Sequence, residues 1–380
     1  MSVESIAAVR EAAESLIRGI SRDYWIQCAR DKVFPTELWK AMAETGLLGL
    51  TVPEEYGGSG GGLSELMVLN EITGRAGIPS MFFVLGSFAR MPIIKHGTPD
   101  QIRRYVTPTA TGESKMCFGV TEPNAGTNTF KLQTSAARND RGWLVNGSKV
   151  FITGARESDS MLLIARTSAF DPSRPRGGLS LFIIDSHLPG IDFRRLNIDV
   201  LGESQYQVFF QDVQIPADAL IGEEGKGMKY LFDGLNTERL VLASMAVGMG
   251  NRALDKAVAY ARERAPFGVP IGSYQGLQHP MARAKAHLEA ARLVMQEAAA
   301  TFDRGEDAGP LSNMAKLLSS EACDEAVDIA LQSHGGYGFD TDYDVITLWP
   351  FARLMRVAPV NNEMILNYIG EHVLGLPRSY

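Results

Sequence analysis

Glu238 is the residue of this 380-residue chain with the most chemistry to offer. It lies in the stretch 229–250, where Leu231, Leu235, Leu242 and Met245 recur at helical spacing and form an apolar stripe. Glu238 falls on that stripe. A carboxylate there must be paired, protonated or used, because an unpaired buried charge is very costly. Two readings stand side by side. Either Arg239 or another cation satisfies it, or it is a base whose pKa is set by apolar surroundings. A second stretch is Phe118-Gly-Val-Thr-Glu-Pro-Asn-Ala-Gly-Thr-Asn-Thr129, where Pro123 and Gly126 force a turn among hydroxyls and backbone N–H groups. Such a loop can donate to a planar heteroaromatic ring or to phosphate, or simply cap a sheet.

Other candidates carry less. The glycines of 50–62 are followed by no Lys-Ser/Thr and preceded by no clear strand, so they form a structural loop and not a P-loop. His279, His287 and His334 fit no metal spacing, and no metal is expected; His334 is kept as an acid–base candidate. Met314, Met355 and Met364 read as core or as the lining of an apolar pocket.

These residues must be positioned by elements of two kinds. Helical patterns occupy 3–20, 35–46, 63–77 and 99–106, then 226–264, 275–304, 309–334 and 361–374. Between them, short runs rich in β-branched and aromatic residues occur at 117–121, 142–147, 148–153, 161–167, 179–184 and 207–211, with Asn146-Gly147 read as a turn. The expected fold is α+β and multidomain. It has an N-terminal helical domain (1–114), a central small β-sandwich or barrel (115–222) and a C-terminal four-helix bundle (223–380). Hydrophobic residues make up 45% and charged ones 21%, as in soluble globular proteins, and the net charge of −7 argues against nucleic acid as main partner. No run approaches the ~20 apolar residues of a membrane span. Cys28, Cys117 and Cys323 are widely spaced and show no disulfide or metal pattern. With no signal segment evident, they point to a cytoplasmic protein.

Six ordered motifs resemble those of the acyl-CoA dehydrogenase family. Val120-Thr-Glu-Pro-Asn-Ala-Gly-Thr127 is similar to its flavin signature VTEPxAGSD, with Thr127 for Ser and Asn128 for Asp. Gly46-Leu-Leu-Gly-Leu-Thr-Val-Pro-Glu-Glu-Tyr-Gly-Gly58 resembles its N-terminal loop. Asn146-Gly-Ser-Lys-Val-Phe-Ile-Thr153 resembles NGxKxWIT, with Phe151 replacing Trp. Phe210-Gln-Asp-Val-Gln-Ile-Pro216 with Gly222-Glu-Glu-Gly-Lys-Gly227 resembles the exit from the β domain. Arg262-Glu-Arg-Ala-Pro-Phe-Gly268 with Gln275, and Leu331-Gln-Ser-His-Gly-Gly-Tyr-Gly338, resemble the R-x-x-F-G and QxxGGxG segments.

The resemblance implies FAD, an acyl-CoA substrate, an electron-transfer flavoprotein as partner, and a homotetramer or homodimer. Phe118, Val120, Thr121, Gly126 and Thr127, with Phe151, Ile152 and Thr153, would line the flavin ring. Arg264, Phe267 and Gln275 of one subunit, with Gln332, Gly335 and Gly336 of its neighbour, would hold the rest of the dinucleotide. Asn361 and Glu363 would supply the last flavin contacts. Thr127, Asn236, Arg239, Pro359 and Val360 would contact the substrate. The implied reaction is α,β-dehydrogenation: a carboxylate takes the α-proton, the β-hydrogen leaves as hydride to flavin N5, and electrons pass to the partner flavoprotein. Most members carry that carboxylate in a Tyr-Glu-Gly-Thr segment, but here Arg356-Val-Ala-Pro-Val-Asn-Asn-Glu363 puts Pro359 in its place. A minority, including isovaleryl-CoA dehydrogenase-like members, carry it within Leu-x-x-Glu-Arg-Leu, and Leu235-Asn-Thr-Glu-Arg-Leu240 makes Glu238 the implied base. Proline has no N–H to give the thioester carbonyl, so Val360 or a flavin hydroxyl would have to serve. The alternatives are a same-fold flavin monooxygenase or oxidase, and a non-catalytic acyl-CoA or flavin-binding protein.

Overall fold

The computed structural model describes residues 3–175, 177–198 and 202–378, with the side chains of 3 and 233–236 outside that description. Seven helices come first: α1 (Val3–Gly19), α2 (Arg22–Asp31), α3 (Thr36–Glu44), α4 (Leu63–Ala76), α5 (Met81–His96), α6 (Pro99–Gln101) and α7 (Thr107–Ala110). A π-turn, Ile102–Val106, joins the last two. The helical reading of 99–106 therefore holds and extends to Ala110. Helices α2 and α5 were not foreseen. Helix α5 is apolar nearly all round and contains Pro92, so it offers no stripe of helical period. Its start is fixed instead by Ser80, whose hydroxyl accepts from the Phe83 N–H. The 50–62 loop is structural as expected, for a Cβ at Gly58 would strike the Val52 carbonyl.

Among the described residues eight strands follow: β1 (Met116–Gly119), β2 (Ser135–Asn139), β3 (Gly142–Thr153), β4 (Ser160–Arg166), β5 (Leu179–Asp185), β6 (Ile191–Arg195), β7 (Gln205–Ile215) and β8 (Leu220–Ile221). They form one sheet in the order β6-β7-β3-β2-β4-β5-β8, with β1 running parallel beside β4. Asn146-Gly147 is not a turn, which corrects the sequence expectation. The chain passes straight through it as β3, with Gly147 at φ +140 and a register shift between Val145 and Gly147. Strand β2 is short and polar, with no apolar alternation to announce it, and β6 alternates over only Ile191 and Phe193.

Strands β4 and β5 are buried on both faces, which explains their unbroken apolar runs. Met161, Leu163, Phe182 and Ile184 face an interior shared with Trp143, Val145, Val208 and Phe210. Leu162, Ile164, Leu181 and Ile183 pack outward on Val52, Ile93, Val106, Met228 and Leu231. The chain ends in α8 (Gly227–Glu263), α9 (Gln275–Asp303), α10 (Gly309–His334), α11 (Trp349–Leu354) and α12 (Asn362–Tyr368). Helix α8 packs on α4, α9 and α10, while its first turns touch β5. The fourth expected C-terminal helix, 361–374, is α12 followed by a π-turn at Ile369–Val373.

Candidate active site

The 118–129 loop is a tight bend at Pro123 and Asn124, closed by mutual backbone bonds between Glu122 and Ala125. Beneath it is an anchor that the sequence reading missed. Glu122 Oε2 accepts from Gln133 N at 2.6 Å, and Oε1 accepts from Thr134 N at 2.9 Å and Lys149 Nζ at 2.8 Å. Lys149 is fully buried and also donates to the Val120 carbonyl at 2.9 Å. Burial alone would push the Glu122 carboxyl up. The Lys149 charge and these hydrogen bonds outweigh it and leave Glu122 below the usual carboxylate range. The visible signal was the pairing of Glu122 and Lys149 in two motifs, but nothing in their spacing reveals that they meet. The anchor leaves Gly126 and Thr127 exposed, with Phe118, Val120 and Thr121 half-buried.

Phe151 is aimed by a β-bulge. Lys149 pairs with Val208 and Ile152 with Tyr206, so two residues of β3 face the single Gln207 of β7. Phe151 adopts φ +60, rare for a bulky residue, and its ring is 59% exposed. The Val150 N–H donates to the Thr121 carbonyl at 2.8 Å, so the bulge and the loop are one unit. Ile152 is buried in the sheet interior. Thr153 is buried too, and its hydroxyl is engaged by Gln205 Nε2 at 2.8 Å.

Glu238 lies in α8 and is 6% exposed. Burial raises its carboxyl from the ordinary 4.5 to about 7, against the opposing charge of Arg239. Among the described residues none makes a hydrogen bond or ion pair with that carboxyl, so pairing with Arg239 does not explain it. Arg239 is itself held below its usual value by burial. The side chain of Asn236 lies outside the described residues.

The loop 356–362 carries Pro359 and Val360, both half-buried. Among the described residues no acceptor takes the Val360 N–H. Asn361 caps α12 by accepting from the Met364 N–H at 2.8 Å, while its Nδ2 donates to Thr127 Oγ1 at 3.4 Å. Two residues expected at the flavin, 234 positions apart, are thereby brought together. Glu363 is exposed on the first turn of α12.

The remaining candidates form two groups. Gln332 and Gly335 line an open groove of about 430 Å³ with Asp328, Leu331, Phe339, Ile346 and Trp349. Gly335 has φ +59, and the exposed Gly336 follows it. Arg264, Phe267 and Gln275 lie exposed between α8 and α9 and are not part of that groove; Phe267 is 84% exposed. His334 is no acid–base group of this site. Its ring stacks on Tyr260 at 4.3 Å and its Nδ1 bonds the Ala330 carbonyl, as a core histidine does. His287 pairs with Glu325 on the surface, and the described residues hold no cluster fit for a metal ion.

The chain matches three family models in order. These are the acyl-CoA dehydrogenase N-terminal domain over residues 4–113, middle domain over 117–213 and C-terminal domain over 225–374. It is 39% identical to acyl-CoA dehydrogenase FadE12 of Mycobacterium tuberculosis, across 99% of this chain and 98% of the relative. It is 33% identical to the caffeyl-CoA reductase-Etf complex subunit CarC of Acetobacterium woodii, across 85% of this chain and 86% of CarC. Among solved structures, PigA with FAD and proline superposes with a TM-score of 0.92 at 27% identity, covering 99% of this chain and 98% of PigA. The chain belongs to the acyl-CoA dehydrogenase family of oxidoreductases.

Proposed function

We propose that the protein is an FAD-dependent acyl-CoA dehydrogenase in which Glu238 removes the α-proton of the thioester. The observation that carries this reading is a carboxyl on α8 that is buried, bonded by no described residue and poised near neutral pH, in a chain whose other candidate position holds Pro359. A base whose pKa lies near the working pH combines a substantial ionised fraction with useful proton affinity. As the Cα–H bond breaks toward Glu238, the Cα electron pair forms the Cα–Cβ double bond and the β-hydrogen departs with its own pair. FAD, when bound, supplies the acceptor for that pair and hydrogen.

The chain's surfaces fit such a cofactor. Phe151 presents an outward ring, Gly126 leaves open space where a Cβ would sit, and the Thr127 hydroxyl and Asn361 amide converge beside them. The groove at Gln332 and Gly335 and the exposed Arg264, Phe267 and Gln275 would hold the distant end. Their separation within one chain supports a site completed by a second subunit, in a homodimer or homotetramer. Arg264 would meet diphosphate with its planar fork. Val360 N–H is the donor available to the thioester carbonyl, and Asn236 and Arg239 would contact the substrate. The likeness to CarC, a subunit of a caffeyl-CoA reductase-Etf complex, supports an electron-transfer flavoprotein as acceptor. The division at 114/115 and 222/223 belongs to the same reading. Three buried, unbridged cysteines support a cytoplasmic location, and among the described residues no helix is long and apolar enough to cross a membrane.

Anaerobic mixing with a panel of straight, branched and aryl acyl-CoA thioesters tests the reaction. Bleaching of the flavin with formation of an enoyl thioester is expected. A flavin that no thioester reduces overturns the reading. A same-fold oxygen-using enzyme is the second reading, favoured by Pro359 standing where most members carry their carboxylate.

A further inference from the structure

Three residues of α10, each a turn from the next, converge on the two ends of a single loop. At the start of that loop, Arg356 Nη1 donates to Asp324 Oδ2 at 2.8 Å. At its end, Lys316 Nζ and Ser320 Oγ donate to Asn362 Oδ1 at 2.7 and 3.2 Å. The Asn362 N–H then donates to the Arg356 carbonyl at 3.1 Å and closes the loop on itself. Residues four apart share a helix face, so 316, 320 and 324 form a slowly winding row that rises about 12 Å along α10. Pro359 and Val360 lie midway between the clamped ends.

The row is expensive for a simple pin. Lys316 and Asn362 are both buried, so an ammonium is withdrawn from water and bonded to a neutral amide. The charges around it divide: Glu363 and Glu321 favour the ammonium, and Arg239 and Arg356 oppose it. Asn362 Nδ2 is buried with no partner among the described residues, and the two donors on Oδ1 prevent the amide from turning over to find one. An apolar pair of similar size would hold α10 to α12 at lower cost. The arrangement spends stability on fixing one acceptor, Asn362 Oδ1, at the end of the loop.

We propose that the Lys316–Ser320–Asp324 row sets the 356–362 loop so that the Val360 N–H meets the thioester carbonyl, with Lys316 as a positioning residue. The inference rests on the acyl-CoA reading above. It gives a physical route by which a loop with proline at 359 keeps a fixed donor: the N–H comes one residue later and the loop is held from both ends.

The test compares Lys316→Met and Asp324→Asn with wild-type holoenzyme, using the thioester turned over fastest in the acyl-CoA panel. Both variants are expected to retain flavin, to exchange backbone amides of 356–364 faster, and to change KM less than twofold. The kcat should fall roughly tenfold for Lys316→Met and roughly threefold for Asp324→Asn, below the ~10²–10³ for outright loss of an oxyanion donor. Asn362→Asp, which keeps the acceptor for Lys316, should stay near wild type. Wild-type kcat in both clamp variants, or faster exchange with no fall in kcat, overturns the proposal. If Lys316→Met does not fold, Asp324→Asn decides alone. Full activity of Glu238→Gln would instead sink the assignment of the base and leave the clamp result readable.

Discussion

Asn361 Nδ2 donates to Thr127 Oγ1 at 3.4 Å, joining the cap of α12 to the exposed tip of the 118–129 loop. One side chain thus serves both ends: its Oδ1 caps the helix and its Nδ2 reaches the loop. Asn361→Ser should keep the cap, lose the reach, and release FAD several-fold faster at nearly unchanged stability. Asn361→Ala should in addition cost about 1 kcal/mol in denaturant unfolding through the lost cap. Equal flavin retention in wild type and Asn361→Ser would remove the contact from the binding argument.

Glu238→Gln should lower desaturation by at least ~10²-fold while the protein stays yellow. Single-turnover flavin bleaching measures this directly, and residual activity within tenfold of wild type would count against the base.

The same carboxyl makes a stability prediction of definite sign. Its folded pKa of about 7 exceeds the ordinary 4.5, so the folded state holds a proton that the unfolded chain has released. That contribution is fully present below 4.5 and is lost as pH rises through 7, amounting to about 3 kcal/mol at most. Glu238→Gln should therefore be more stable than wild type at pH 8 and show little difference at pH 4.5 in urea titrations. Wild-type kcat/KM, which reports the free enzyme, should rise with pH through an inflection near 7, because the ionised form is the active one.

Glu122→Gln would strand the Lys149 ammonium in the sheet interior. An unfolding cost of about 3–5 kcal/mol and loss of flavin are expected, since breaking one side of a buried pair leaves the other uncompensated. Removing both charges in Glu122→Gln/Lys149→Met should recover much of the stability. A double variant no better than the single one would show that the pair matters for shape and not for charge.

Phe151→Gly separates folding from cofactor retention. Glycine at φ +60 relieves a backbone conformation costing of order 1 kcal/mol, so flavin-free protein should be as stable as wild type or more so. Flavin affinity should fall, read by fluorescence titration of the stripped protein.

Much of this architecture was legible in the chain, and the failures have physical causes. The long helix α9 announced itself because it buries one face, so its apolar residues keep a period of 3.6. Helix α5 did not, being buried over most of its length and interrupted by Pro92. Asn146-Gly147 looked like a hairpin turn because Gly147 does take a positive φ, yet it spends that freedom on a bulge inside β3. At the site, Glu238 was readable as a carboxylate on an apolar stripe. That no described residue hydrogen-bonds its carboxyl was not, since that depends on which side chains the fold brings alongside α8. The Glu122–Lys149 anchor spans 27 residues and two motifs, and only the pairing of β3 with its neighbours brings them together.

Helix α8 begins against β5 and carries Glu238 eleven residues further on. A helix has a rise of ~1.5 Å and a turn of ~100° per residue. The carboxyl is therefore placed by counting from the sheet, about 16 Å along a fixed screw. A one-residue insertion between Met228 and Glu238 would swing the carboxyl about a quarter-turn off the buried face, whatever residue was inserted. Length, as much as identity, is what this stretch of the chain has to conserve.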